Sequence, residues 1–282
     1  MIKDKIIRYN TDIVGTTRVH NIKSDYKINI KNELLYKGKE EDLYRFLITE
    51  VEYNLEDYED PVMTQIAEMT NKVCSIYKQI DLGVDQDGKI VRIFNRDEIK
   101  EKWQKVKSWL TNAHPLESYE IIRAKEFELS DEELEIKNIR FIHFLHQYFF
   151  IFRQSVPEDR TKYIKKTEMD RFGSGTVISV NIGLKEKIED QNFFIRTYEG
   201  KMVREDSTIR RLRESVKDKY MHPDYKMTGT YKYQDATLLE SDFTITEELG
   251  EFFYNHSYLR LTIENEPLHE ETEAAEGVTN SQ

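Results

Sequence analysis

Apolar and polar positions alternate along the start of the chain. Ile7, Tyr9, Thr11 and Ile13 are interleaved with Arg8, Asn10 and Asp12, and Tyr26, Ile28 and Ile30 with Lys27, Asn29 and Lys31. Phe46 and Ile48 oppose Leu47, Thr49, Val51 and Tyr53. A period of two suits antiparallel strands with one solvated face. Ser24-Asp25 and Lys37-Gly38-Lys39 are the expected breaks between them.

From Val62 to Leu110 the pattern reads helix, strand, hairpin, strand, helix. Asp60-Pro61 opens the first helix, with Asp as N-cap and Pro at the first helical position; Met63, Ile66, Met69, Val73 and Tyr77 follow at helical spacing. Ile80, Leu82 and Val84 form one arm of the hairpin, and Ile90 or Val91, Ile93 and Phe94 the other. Asp87-Gly88 supplies a two-residue turn, because such a loop needs φ > 0. Asn95 or Asp97 caps a second helix with Ile99, Trp103, Val106 and Leu110 on one stripe, and His114-Pro115 ends it.

Leu116 to Phe152 reads as helical with a break near Ser130, where Ser130 and Glu133 fit a capping box. The helix from Ile136 to Phe152 carries Phe141, Phe144, Leu145, Tyr148, Phe149 and Phe152, which together cover more than one face. It is expected to be buried at the centre or to form an interface. Val156 to Arg171 reads as a polar connector. Strands return at Ile178-Val180-Ile182-Leu184 and Phe193–Tyr198, with Glu199-Gly200 as a turn. A short helix with Ile209, Leu212, Val216 and Tyr220 is capped by Asp206 or Ser207, and strands follow at Met227–Tyr233, Thr237–Thr246 and Phe252–Ile263. The fold class expected is α+β, with antiparallel β-meanders curving around helices and a central aromatic-rich helix. One domain over 1–264 is expected, divisible into subdomains 1–115 and 172–264 joined by helices 116–155 and the connector 156–171. Residues 265–282 are expected to be a disordered acidic tail.

Charge sharpens this picture. The formal net charge is −11, but beyond Arg260 six glutamates and no Lys or Arg contribute −6, leaving −5 on the body. That argues against a general nucleic-acid binder. Cys74, the one cysteine, lies among Met69, Val73, Ile76 and Tyr77 and is expected to be a buried, inert thiol. Met1-Ile2-Lys3-Asp4-Lys5 is not followed by an apolar leader. The longest apolar run, Ile139–Phe152, spans about 21 Å as a helix and is interrupted by Arg140, His143, His146 and Gln147. A soluble cytoplasmic protein with no membrane span is expected.

Few constellations carry chemistry. His143 and His146 share a helix face, but two ligands do not make a zinc site, and buried hydrogen-bonded histidines are the simpler reading. Asp85-Gln86-Asp87-Gly88 resembles the start of a calcium loop, yet Gly83 stands where the first ligand belongs and Phe94 where the bidentate Glu belongs. Gly173-Ser174-Gly175 precedes a strand, whereas phosphate loops follow one. Glu50 and Glu52, like Glu240 and Asp242, alternate onto what is expected to be the wet face of a sheet. Arg204, Arg210, Arg211, Arg213, Lys217 and Lys219 cluster at the short helix among Glu205, Asp206, Glu214 and Asp218. No catalytic, cofactor or metal residues are expected. The candidate partner-binding residues are Phe144, Tyr148, Phe152, Arg210, Arg211 and Arg213.

Thr11 to Arg18, the strand Tyr26–Leu35, Phe46 to Val51 and Ile93 to Lys107 resemble an uncharacterised family of bacterial proteins encoded beside spike genes of type VI or related contractile secretion systems. The resemblance covers the N-terminal 110 residues, and its motifs are structural. It implies an accessory role as adaptor, chaperone or immunity protein, with an effector, toxin or spike component as protein partner, and it carries over no active residue. Non-catalytic protein binding is therefore the expected function. The first alternative is a small-ligand or lipid carrier with an internal apolar cavity. The second is a hydrolase or toxin whose site is assembled from distant segments.

Overall fold

The computed structural model describes residues 3–56, 61–115, 118–150, 159, 161–172, 176–190, 193–235 and 237–264. Among them, eleven strands form one antiparallel sheet: β1 (Ile6–Val19), β2 (Ile22–Glu40), β3 (Leu43–Glu56), β4 (Gln79–Val84), β5 (Ile90–Ile93), β6 (Ile164–Arg171), β7 (Thr176–Asp190), β8 (Phe193–Met202), β9 (Asp224–Gln234), β10 (Thr237–Leu249) and β11 (Phe253–Ile263). Their spatial order is β5-β4-β3-β2-β1-β11-β10-β9-β8-β7-β6. The helices are α1 (Pro61–Cys74), α2 (Arg96–Ala113), α3 (Ser118–Ser130), α4 (Glu132–Ile139), α5 (His143–Phe150) and α6 (Asp206–Val216). The expected α+β class is corrected by this arrangement. Strand makes up 53% and helix 29%, so the protein is largely β. The meanders merge into a single sheet because β1 pairs with both β2 and β11, placing Ile13 between Ile28 and Leu259.

Strand alternation is as the pattern predicts. Tyr9, Thr11 and Ile13, then Ile28 and Ile30, then Phe46 and Ile48 point into the core. The breaks differ. Lys37-Gly38-Lys39 lies inside β2, where Gly38 at φ +104° forms a bulge and the strand continues. The turns are instead His20-Asn21 and Glu41-Asp42, with His20 at φ +53° and Glu41 at φ +55°. Glu199-Gly200 is likewise not a turn but the interior of β8. Gly200 pairs with Met227, and a Cβ there would lie 2.4 Å from the Met227 side chain. The residue is glycine because the neighbouring strand's side chain occupies its space. Between β4 and β5 the loop is five residues long, Asp85 to Lys89. Gly88 has the expected positive φ of +83°, and the Asp85 carboxylate accepts hydrogen bonds from the backbone N–H groups of Asp87 and Lys89, each at 2.9 Å. Asp85 thus organises the turn as an Asx turn, which accounts for its acidic residues without an ion.

The expected connector is corrected as well, because Ile164–Arg171 is strand β6. The helix expected after Ser130 is in two pieces. Asp131 rather than Ser130 caps α4, its Oδ1 accepting from the N–H groups of Glu133 (2.7 Å) and Leu134 (3.2 Å). The backbone turns at Arg140–Ile142 before α5 begins. Instead of one long central helix there is an eight-residue helix lying on the sheet. Phe144, Leu145, Tyr148 and Phe149 of α5 are buried, packing with Tyr9, Phe46 and Phe243. Gln147 fastens α5 to β10 and β11, donating to the Ser241 carbonyl (3.0 Å), the Ser241 hydroxyl (2.9 Å) and the Leu259 carbonyl (3.3 Å).

The opposite face of the sheet is polar and cross-linked by charge. Glu52 pairs with Lys31 at 2.8 Å, and Glu240 with Lys232 and Arg260 at 2.5 and 2.6 Å. The carboxylates of Glu52, Glu240 and Asp242 belong to this face. Cys74 is exposed, which corrects the expectation of a buried thiol. Residues 265–282, Phe152 and Gly173-Ser174-Gly175 lie outside the described residues.

Candidate functional site

Strands spaced about 4.8 Å apart would put the two edges of a flat eleven-stranded sheet about 48 Å apart. Here Ile90 and Val91 of the edge strand β5 and Lys165 to Glu168 of the edge strand β6 line the same groove. The sheet is therefore curled, and α4 and α5 occupy the seam. The β5 edge is closed by α4, whose Glu132 carboxylate accepts the Ile93 N–H at 3.0 Å. Such covering removes an aggregation-prone edge. The groove, about 730 Å³, has an apolar floor of Ile90, Ile136, Leu145 and Phe149 with Phe141 at one side. Its polar lining is Asp87, Lys89, Glu133, Lys137, Arg140, His146, Lys165, Lys166, Thr167 and Glu168, with charges of both signs.

The period of two on β6 decides how this wall is built. Ile164, Lys166 and Glu168 pair with Ile182, Val180 and Ile178, all buried, so a lysine and a glutamate take interior positions. Glu168 is 1% exposed. It meets His146 Nε2 at 3.3 Å and the Arg171 guanidinium in a short ion pair. Burial alone would raise its carboxyl, but His146 and Arg171 overcome that and hold it down at about 2. Arg171 also lies 3.8 Å from Glu247 and over the Tyr225 ring. Glu247 is itself fixed by the Phe172 N–H and the Asn255 amide, each at 2.8 Å. His146 is held between Phe141, stacked at 5.8 Å, and the edge of Phe243 at 5.6 Å.

Lys166 and Arg140 stand near enough to feel the charge of this carboxylate. Burial pushes the Lys166 ammonium down to about 8, Glu168 opposing and Arg140 reinforcing the shift. Burial also lowers the Arg140 guanidinium, with Glu168 acting the other way. Arg140 lies over the Phe141 ring at 4.8 Å, and its Nε is buried with no hydrogen-bond acceptor among the described residues.

The sequence-predicted residues fall elsewhere. Phe144 and Tyr148 are 2% and 4% exposed, so they are core and offer no docking surface. Arg210 and Arg211 are exposed on α6, while Arg213 donates to the Met221 carbonyl at 2.8 Å and serves the local fold. The basin beside α6 holds Arg210, Arg213, Lys217 and Lys219, but also Asp206, Glu214 and Asp218, so its charges largely cancel. His146 was singled out in the sequence and does sit in the groove, where it is buried and its Nε2 faces the Glu168 carboxylate; His143 is exposed. Glu168, Arg171, Arg140 and Lys166 escaped sequence reading. The signal that could have found Lys166 and Glu168 was their place at intervals of two after Ile164, a strand pattern with charges at inward positions; Arg140, in the turn before α5, and Arg171, beyond a register shift in β6, carry no such signal.

No group of three His, Cys, Asp or Glu side chains among the described residues could hold a metal ion. No described helix is long and apolar enough to cross a membrane. Neither a protein-family model nor a curated protein matches the chain, and nothing found bears on a secretion-associated family. Among solved structures, one titled "Lipid-protein interactions in lipovitellin" is similar at 10% identity with a TM-score of 0.49. The match covers 94% of this chain and 25% of that one, so the chain spans about a quarter of that structure's length. A likeness so distant transfers no function.

Proposed function

We propose that this chain binds a small amphipathic molecule in the groove between β5 and β6, as a carrier or receptor rather than a catalyst. The observation that carries this reading is the groove's composition: an apolar floor beside charged and polar side chains, in a volume within the usual range for small-ligand sites. The space between the sheet and α5 is filled by aromatic side chains, so the ligand's place is the seam and not the interior of the sheet. An environment-sensitive apolar fluorophore should bind saturably and be displaced by dodecanol. Ile136→Glu, which puts a charge on the floor, should abolish that binding, while Val14→Glu on the outer face should leave it intact. Undiminished binding by Ile136→Glu would refute the assignment of the site.

A histidine–carboxylate pair beside a groove is also the material of a general base. Here Nε2 of His146 is the nitrogen that faces Glu168, and Thr167 is the one hydroxyl among the described lining residues. Thr167 is exposed and on the opposite face of β6 from Glu168. The pair is read as structural.

A further inference from the structure

We infer that the ligand of this groove carries an aldehyde, which the Lys166 side chain takes up as a covalent imine beside the Glu168 carboxylate. This rests on the proposal that the groove binds an amphipathic molecule, and it names the reactive group at one end of that molecule.

Lys166 stands at an inward position of β6, paired with the buried Val180 of β7 and flanked in the alternation by Ile164 and Glu168. It lines the groove together with Ile136, Leu145 and Phe149 of the floor. Its exposure is intermediate, so part of the residue still reaches solvent. An amine attacks a carbonyl only when neutral, and the two surroundings that favour a neutral lysine are withdrawal from water and a neighbouring cation. Both are present here. Burial pushes the Lys166 ammonium down to about 8, and Arg140 adds to the shift against the opposing pull of Glu168. At pH 7 such a group is about one-tenth neutral, whereas an ordinary lysine is neutral in only about one part in two thousand.

The step balances without an oxidant or a reductant. The neutral amine adds to the carbonyl carbon, the carbonyl oxygen leaves as water with the two amine protons, and a C=N bond replaces the C=O bond. A proton taken up by the imine nitrogen makes it a cation, whose charge Glu168 offsets as it does that of the ammonium.

Inward-pointing charge on an edge strand is also a known defence against edge-to-edge aggregation. That role needs a charge that persists, and burial works against the charge of Lys166. Lys165, exposed and ion-paired with Glu205 at 2.8 Å, supplies a lasting one on the same strand.

The full chain is treated at pH 7 with dodecanal and cyanoborohydride, which reduces an imine to a stable secondary amine, and the adducts are located by peptide mass mapping. One dodecyl group should appear on Lys166, about tenfold or more above any other lysine, and excess dodecanol should suppress it. Lys166→Arg, which keeps the charge but forms no imine, should lose this adduct while binding the apolar fluorophore as the wild type does. The wild-type map decides even if Lys166→Arg does not fold. Labelling spread evenly over the exposed lysines, or centred on Lys89, Lys137 or Lys165, overturns the imine; fluorophore binding that dodecanol still displaces then leaves the groove standing. Absence of fluorophore binding to the wild type overturns the groove and the imine with it.

Discussion

At the scale of the residue, the decisive group is Glu168. It is buried, and its ionised form is favoured by His146 and Arg171 against the cost of burial. Its folded-state pKa lies below the unfolded one, so the unfolded chain takes up the proton first as pH falls. The stabilisation is fully present above the ordinary carboxyl value of 4.5 and is lost as pH falls toward about 2. Glu168→Gln takes the carboxylate away from the buried Arg171 guanidinium and should cost about 3–5 kcal/mol at neutral pH. The variant's melting temperature should also fall less steeply than the wild type's over that acid window. Parallel acid arms in a melting series would show that Glu168 does not titrate as described. Gly88 makes a smaller test. At φ +83°, Gly88→Val should destabilise by about 1 kcal/mol or more, read from denaturant midpoints. Gly88 was legible in the sequence because the Asp-Gly pair announces a positive φ. Glu168 was not, because a lysine- and glutamate-bearing segment looks like solvent-exposed chain until its partners are known.

At the scale of the element, α5 and β6 divide the labour. α5 places Phe144 and Tyr148 in the core and His146 and Leu145 at the groove, while Gln147 ties it to two strands. Phe144→Ala should cost about 3–5 kcal/mol, as cavity formation in a packed core does. Phe141→Ala, half-buried at the groove, should cost clearly less and weaken ligand binding instead. Thermal melting beside a binding titration distinguishes the two, and equal losses of stability would place Phe141 in the core. Helix α2 was fully legible: Ile99, Trp103, Val106 and Leu110 are all buried, as their spacing requires. The long helix to Phe152 was not, because aromatic density predicts burial but does not reveal the turn at Arg140–Ile142. The turns at His20-Asn21 and Glu41-Asp42 were hidden for a similar reason, since neither contains glycine or proline.

At the scale of the whole molecule, alternation identified most strands but could not name their neighbours. Ile13 against Leu259 is a pairing between opposite ends of the chain with no local signature, and it converts two meanders into one sheet. The curl that brings β5 and β6 to one groove is a consequence of that sheet, so the site could not have been assembled from the sequence. What the molecule is proposed to do depends on this seam being open to a ligand. The most direct test is a methyl-resolved NMR titration of the full chain with dodecanol. Saturable shifts should appear at Ile90, Val91, Ile136 and Leu145, while Ile178 and Val180 on the neighbouring strand β7 and Val14 on the outer face stay put. Absence of saturable shifts, or shifts centred away from the β5–β6 seam, would contradict the assignment of the groove as the functional site.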